Sequence, residues 1–175
     1  MRNFRQIVGI IPLVAGATLA LDQVTKLAVV FGLDLVNRGE IDVWPPFLVF
    51  RMAWNQGMNF GLFGDESQWV RWGLVAVALA ISAWVWIWVR REGGGPWVQA
   101  AAGLLIGGAV GNVIDRILYG AVADFVNMSC CGIDNPFAFN VADVAIFAGA
   151  FGLVIVTNGS GGKARPKPKT RRKTP

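Results

Sequence analysis

The sequence predicts a mainly α-helical membrane protein with four transmembrane helices and a small β element outside the membrane. Three observations carry that prediction. Hydrophobic residues make up 54% of the 175 and charged residues only 15%, a balance unlike that of a water-exposed surface. Four apolar segments, roughly residues 6–31, 68–89, 97–117 and 138–157, are each long enough to cross about 30 Å of hydrocarbon at about 1.5 Å per residue. Between the first and second, residues about 34–67 carry charges, Pro45-Pro46 and alternating apolar side chains (Phe47, Val49, then Phe50, Met52, Trp54), which read as short strands.

The first segment opens on Arg2 and Arg5 and resembles a secretory leader, with Ala15-Gly16-Ala17 as a small-residue cleavage pattern. Its apolar run continues through that pattern and resumes after a polar cluster, so it reads as a retained helix that enters from the cytoplasm, with Pro12 as a candidate kink. The cluster is Asp22-Gln23-Val24-Thr25-Lys26, in which Asp22, Thr25 and Lys26 share a face. An intrahelical Asp22–Lys26 ion pair is its simplest reading. Asp22 lies about 25 Å along the helix from Arg5, near the outer surface. The second segment ends in Arg90-Arg91, which places the following Gly-rich loop in the cytoplasm, and Trp84, Trp86 and Trp88 fit an interfacial belt. The third repeats glycine at 103, 107 and 111, a small face for close helix packing, and then carries Asn112, Asp115 and Arg116. Asp115 lies about 27 Å from Trp97, again near the outer surface. A loop holding Asp124 follows, and in the fourth segment Asn140 and Asp143 share one face. Four aspartates from different segments are therefore expected at one depth, which a shared site requires and separate structural roles do not.

What is missing restricts the chemistry. The chain has no histidine, which excludes Ser-His-Asp and Cys-His mechanisms and His-based zinc sites. Its two cysteines, Cys130-Cys131, are expected to be structural, as thiols or as a vicinal pair, and make a poor metal site. No metal and no cofactor is expected. The net charge of +5 is concentrated in a tail, about 159–175, where Lys163, Arg165, Lys167, Lys169, Arg171, Arg172 and Lys173 fall among prolines. The tail is expected to be disordered and to act as a cytoplasmic topology anchor rather than as a nucleic-acid-binding segment.

Two carboxylates held close together share a proton, so that one serves as base on a water while the other donates to a carbonyl oxygen. Such a pair hydrolyses a peptide without metal or covalent intermediate. Paired membrane carboxylates also serve proton and ion pathways, but those favour midplane positions and related sequence halves. A Ser-Lys mechanism through Lys26 would need a serine at the same depth, and Ser82 is about 20 Å below Trp69. The residues alone leave Asp115 and Asp124 as alternative partners of Asp143. Arg116 beside Asp115 suggests a structural ion pair there and favours Asp124.

Asp22-x-x-Thr25-Lys26, Asn55-x-Gly57-x-x-Phe60, Gly107-Gly108-Ala109-x-Gly111-Asn112-x-x-Asp115-Arg116, Val122-x-Asp124-Phe125 and Phe139-Asn140-x-Ala142-Asp143 together resemble the bacterial lipoprotein signal peptidases, signal peptidase II. The resemblance implies a four-helix aspartic endopeptidase of the bacterial inner membrane, sensitive to globomycin; with no feature that points to assembly, a monomer is expected. Both termini would be cytoplasmic, and an extracytoplasmic β-cradle would form from about 34–67 and the loop 118–137. The substrates implied are prolipoproteins carrying a diacylglyceryl cysteine, reached from the surrounding membrane lipids and cut just before that residue. By position, Asp124 and Asp143 would be catalytic, supported by Asn112, Asp115, Arg116 and Asn140, with Asp22, Lys26, Asn55 and Gly57 lining or bracing the site. The chain departs from the pattern at Met58-Asn59-Phe60-Gly61, where the family usually has two alanines and then Phe-Ser, which bears on the shape of the substrate groove.

Overall fold

A computed structural model describes residues 4–57, 67–132 and 135–160. The departure at Met58-Asn59-Phe60-Gly61 and the basic tail residues 163–173 lie outside them. Helix α1 (Phe4–Lys26) contains Pro12 and runs on through a wider π-helical turn, Leu27–Gly32, so that Gly9–Gly32 forms one apolar span. A short helix, α2 (Leu35–Arg38), which the sequence reading did not anticipate, leads into strands β1 (Glu40–Trp44) and β2 (Leu48–Asn55). Two long helices follow, α3 (Ser67–Glu92) and α4 (Pro96–Tyr119), then strand β3 (Val122–Met128) and helix α5 (Val141–Ser160). Among the described residues three helices, α1 with its extension, α3 and α4, are long and apolar enough to cross a membrane; the apolar stretch of α5, Val141–Val156, is shorter.

Helix α4 is the axis of the bundle and packs against α1, α3 and α5. Glycine makes these approaches close. A Cβ at Gly107 would stand 2.5 Å from the Ala15 carbonyl oxygen, and one at Gly103 would stand 3.0 Å from that of Ile11, so the glycine face foreseen in α4 receives α1. From the other side, a Cβ at Gly149 of α5 would lie 2.6 Å from both Ala101 O and Leu105 N. Ile11, Val85, Val89, Val98, Ala102, Leu105 and Leu153 fill the core at one end of the bundle.

At the other end lies an antiparallel sheet in the order β1-β2-β3. Its inner face packs Phe125, Phe50, Ile41 and Met52 onto Val30 and Leu35, at the end of the first span. The register pairs Ala53 with Asp124 and Asn55 with Val122, with an irregularity between Phe50 and Ala53.

The fourth helix starts later than the sequence suggested. Phe137-Ala138-Phe139 reads as a continuation of the apolar run, yet Phe139 pairs with Val126 of β3, with Val126 N donating to Phe139 O at 2.8 Å. Asn140 is therefore not inside α5; it caps it. Cys130 and Cys131 are joined as a vicinal disulfide in the exposed turn after β3.

Candidate active site

Two groups of polar side chains meet where the ends of α1, α4 and α5 reach the sheet. The first is ionic. Lys26 Nζ lies 2.8 Å from Asp22 Oδ2 and 2.7 Å from Asp115 Oδ2, and all three side chains are shut away from solvent, with Lys26 only 3% exposed. The intrahelical Asp22–Lys26 pair thus exists, but it is half of a larger unit that bridges α1 to α4. Asp115 pairs with Lys26 and not with the adjacent Arg116, a correction to the sequence reading. Neighbours in a helix sequence point about 100° apart, so Asp115 faces α1 while Arg116 turns toward the groove between α3 and α4. The same carboxylates also hold backbone donors: Asp115 Oδ2 accepts from Ala123 N at 3.1 Å, at the start of β3, and Asp22 Oδ1 accepts from Ala142 N at 2.9 Å, in the first turn of α5.

Gly111 leaves room for this unit. A Cβ there would stand 2.7 Å from Asp22 Oδ2, a carboxylate oxygen already fixed by Lys26. Gly111→Ala is expected to destabilise the protein by about 1–3 kcal/mol, as overpacking does, read as a lower unfolding midpoint in detergent. Gly16→Ala, in α1 with nothing within 4 Å of its Cβ, is the control and should leave the midpoint unchanged.

The second group is built on Asp124 and Asp143. Asn140 and Asp143 form a reciprocal cap at the start of α5: Asp143 N donates to Asn140 Oδ1 at 2.8 Å, and Asn140 N donates to Asp143 Oδ2 at 3.3 Å. The Asn140 amide then donates to Asp124 Oδ1 at 2.7 Å, while the Asn112 amide donates to Asp143 Oδ1 at 2.9 Å. Asn112 and Asn140 are themselves joined at 3.3 Å, and Asn112 Oδ1 lies 3.5 Å from Lys26 Nζ. On the open side, Asn55 Nδ2 donates to Asp124 Oδ2 at 3.0 Å. Gly57 fixes that amide by donating its N–H to Asn55 Oδ1 at 3.0 Å, and its own φ of +94° with Leu74 Cδ1 2.6 Å from a would-be Cβ demands glycine. The asparagine side chains thus hold the two carboxylates together, and Asn112 ties them to the ionic unit through Lys26.

The model for signal peptidase (SPase) II matches residues 14–158. The chain belongs to that family. Among relatives of known name, the "Lipoprotein signal peptidase" of Methylorubrum extorquens (strain PA1) is 45% identical over 157 residues, 89% of this chain and 86% of the relative. That of Methylobacterium sp. (strain 4-46) is 43% identical over 143 residues, 82% and 85% of the two chains. A bacterial membrane enzyme solved by the in meso method at 2.3 Å resolution superposes with a TM-score of 0.67 at 26% identity, covering 90% of this chain and 93% of the other. Membership of signal peptidase II makes the chain a membrane peptidase, and it directs attention to the two carboxylate groups.

In this signal peptidase II, burial and then the nearby Asp143 charge push the Asp124 carboxyl up to about 6, against the smaller opposing effect of its hydrogen bonds from Asn55 and Asn140. Arg116 stands within electrostatic reach of Asp124, Asp143 and Asp115, and its Nη1 donates to Asn112 O at 3.4 Å. Its buried Nε has no hydrogen-bond partner among the described residues. One more contributor was not foreseen. Gln23 bridges the ionic unit by donating to Asp22 Oδ2 and Asp115 Oδ1, both at 3.1 Å, and its place inside the polar cluster of α1 was the only signal for it. Thr25, expected on the same face as Asp22 and Lys26, instead returns its hydroxyl to Leu21 O and Asp22 O of its own helix, both at 2.9 Å.

Proposed function

We propose that this chain removes the signal peptide from diacylglyceryl-modified prolipoproteins, cutting before the lipidated cysteine, with Asp124 and Asp143 as the catalytic dyad. The observation that carries the reading is the asparagine-held carboxylate pair in a member of the signal peptidase II family. Asp124, the carboxyl pushed up to about 6, holds the shared proton and donates it to the scissile carbonyl oxygen. Asp143, which accepts from Asn112 and from Asn140 N, is the ionised partner that takes a proton from the attacking water. Collapse of the tetrahedral intermediate then passes a proton to the departing amine, with no metal and no covalent enzyme intermediate. Asn112, Asn140 and Asn55 orient the dyad, Gly57 orients Asn55, and the Asp22–Lys26–Asp115 unit positions β3 and α5, which carry it.

The reading extends to placement. In it the protein is a monomer of the bacterial inner membrane, α5 makes the fourth crossing with its 20 residues spanning about 30 Å, and both termini are cytoplasmic. The Arg90-Arg91 turn and the basic tail support that orientation through the positive-inside rule. The dyad then lies near the outer surface. An apolar groove lined by Phe139, Val144, Phe147 and Phe151 starts at Asp143 and runs down α5, open to lateral entry of a lipidated substrate.

The deciding experiment is cleavage by the purified protein in detergent of a diacylglyceryl-modified prolipoprotein and of the same precursor without lipid. Cleavage of the first only, before the modified cysteine and blocked by globomycin, is expected. A folded protein that cuts neither removes the proposal. The pH profile is a further expected result. Because the Asp124 carboxyl sits above its ordinary value, the monoprotonated pair persists to about pH 6 and is lost as pH rises through it. The profile of kcat/KM should therefore have its alkaline limb near pH 6, with one proton lost.

A further inference from the structure

The β1–β2 hairpin ends in an exposed apolar tip that the peptidase chemistry does not use. From Val43 to Phe50 the chain reads Val-Trp-Pro-Pro-Phe-Leu-Val-Phe, eight residues without one polar side chain. Burial of a core explains the inner residues of that run but not Val43, Trp44 and Phe47, which are exposed, Trp44 by 69%. Trp44 and Phe47 meet edge to face at 5.7 Å. The register places Met128 opposite Leu48, and Met128 is exposed beside them.

The backbone donors of the tip do not need water. Pro45 and Pro46 have no N–H, and Phe47 N donates to Trp44 O at 2.8 Å, so no backbone donor is left free across the turn. Phe47 O in turn accepts from Ser129 N at 3.3 Å. A free N–H in hydrocarbon costs several kcal/mol, and this turn has none.

Placement supplies the occupant. The sheet lies across the helix ends, since its inner face packs on Val30 and Leu35 while Asp124 of β3 is held by Asn140 at the start of α5. Phe50 is the last β2 residue packed in that cluster. Beyond it Val49 is still buried, and Phe47, about 10 Å from Phe50 along the strand, is exposed. A sheet seated at the ends of membrane helices sets an exposed apolar tip at the depth where headgroups meet acyl chains. We infer that the Trp44-Pro45-Pro46-Phe47 tip, with Val43 and Met128, is a lipid-inserting wedge that enters the boundary between headgroups and acyl chains and fastens the sheet to the bilayer. Tryptophan and phenylalanine suit that boundary, where the ring is buried and its edge reaches the interface. Which leaflet is entered rests on the orientation proposed above, but contact with lipid does not.

The test places an environment-sensitive nitrobenzoxadiazole label at Phe47→Cys, and separately at Val43→Cys, in a Cys130→Ser/Cys131→Ser background, in nanodiscs of phosphatidylethanolamine and phosphatidylglycerol. Lipids with a doxyl group near the glycerol are expected to quench the label about twofold, with a blue-shifted emission and protection from aqueous iodide. The second position keeps the test intact if one variant does not fold. Labels at both positions that are open to iodide and untouched by doxyl lipid would overturn the wedge and assign the tip to a water-borne partner. Because the readout is spectroscopic, failure of the peptidase reading leaves it unaffected.

Discussion

Asp124→Asn and Asp143→Asn variants are expected to fold, with unfolding midpoints lowered less than by Asp115→Asn, and to lose about 10³-fold or more of kcat on a lipidated precursor. Amide for carboxylate keeps the shape but leaves one acceptor oxygen where there were two. An amide at 124 can accept from Asn55 or from Asn140 but not from both, and one at 143 from Asn112 or from Asn140 N, so each variant forfeits one hydrogen bond. What disappears is the shared proton. Substitution at 124 also removes a charge whose burial and proximity to Asp143 are unfavourable, which offsets the lost hydrogen bond at neutral pH but not at pH 4, where the native Asp124 is protonated in any case. Asp115→Asn separates the two roles: it is expected to lower the midpoint more than either dyad variant while retaining measurable cleavage in the molecules that stay folded. An Asp124→Asn protein that still cuts would force the pair to be redrawn with Asp115.

Lys26→Met should be among the most destabilising single changes in the chain. It keeps most of the side-chain volume and removes the one cation between Asp22 and Asp115, which are both fully buried. Breaking a buried ion pair by removing one partner costs about 3–5 kcal/mol, because a charge is left without compensation. Here two carboxylates lose the same partner, so the loss should reach the upper part of that range, read as the midpoint of unfolding in mixed detergent micelles. The double variant Lys26→Met/Asp115→Asn should recover part of it, since one orphaned charge is gone. If Lys26→Met were as stable as wild type, the ionic unit would not be what joins α1 to α4.

The helical spans were legible in the sequence because apolarity and length are local properties, and the glycines at 103, 107 and 111 announced the face that α1 covers. Helix arithmetic placed Asp22, Asp115 and Asp143 at one end of the bundle, and hydrogen bonds do join their segments to the strand that carries Asp124. The partner of Asp115 was not, since residues adjacent in a helix face different neighbours and only the docked α1 supplies Lys26. Strand β3 was hidden for a different reason. Val122 to Phe125 is buried throughout, so the alternation that marks a half-exposed strand is absent, and Asp124 within it reads as a loop residue. The start of α5 was misplaced because the apolar run of Phe137 and Phe139 pairs with β3 instead of turning, a contact made only once the strand is present. The Asn-x-Gly motif at 55–57 was legible only through the resemblance, and what it holds became visible with Asp124 across the sheet.

The bond from Asp22 to the backbone of Ala142 links residues 120 apart in the chain. Its lysine partner holds Asp115 as well, and Asp115 anchors the strand that bears Asp124, so the contacts that bring Asp143 to Asp124 are complete only when the last helix has docked against the first. On the proposed reading, a nascent chain with three segments in the bilayer lacks one of its two carboxylates and is inert. Activity then arrives in a single step, with the closing of the fold.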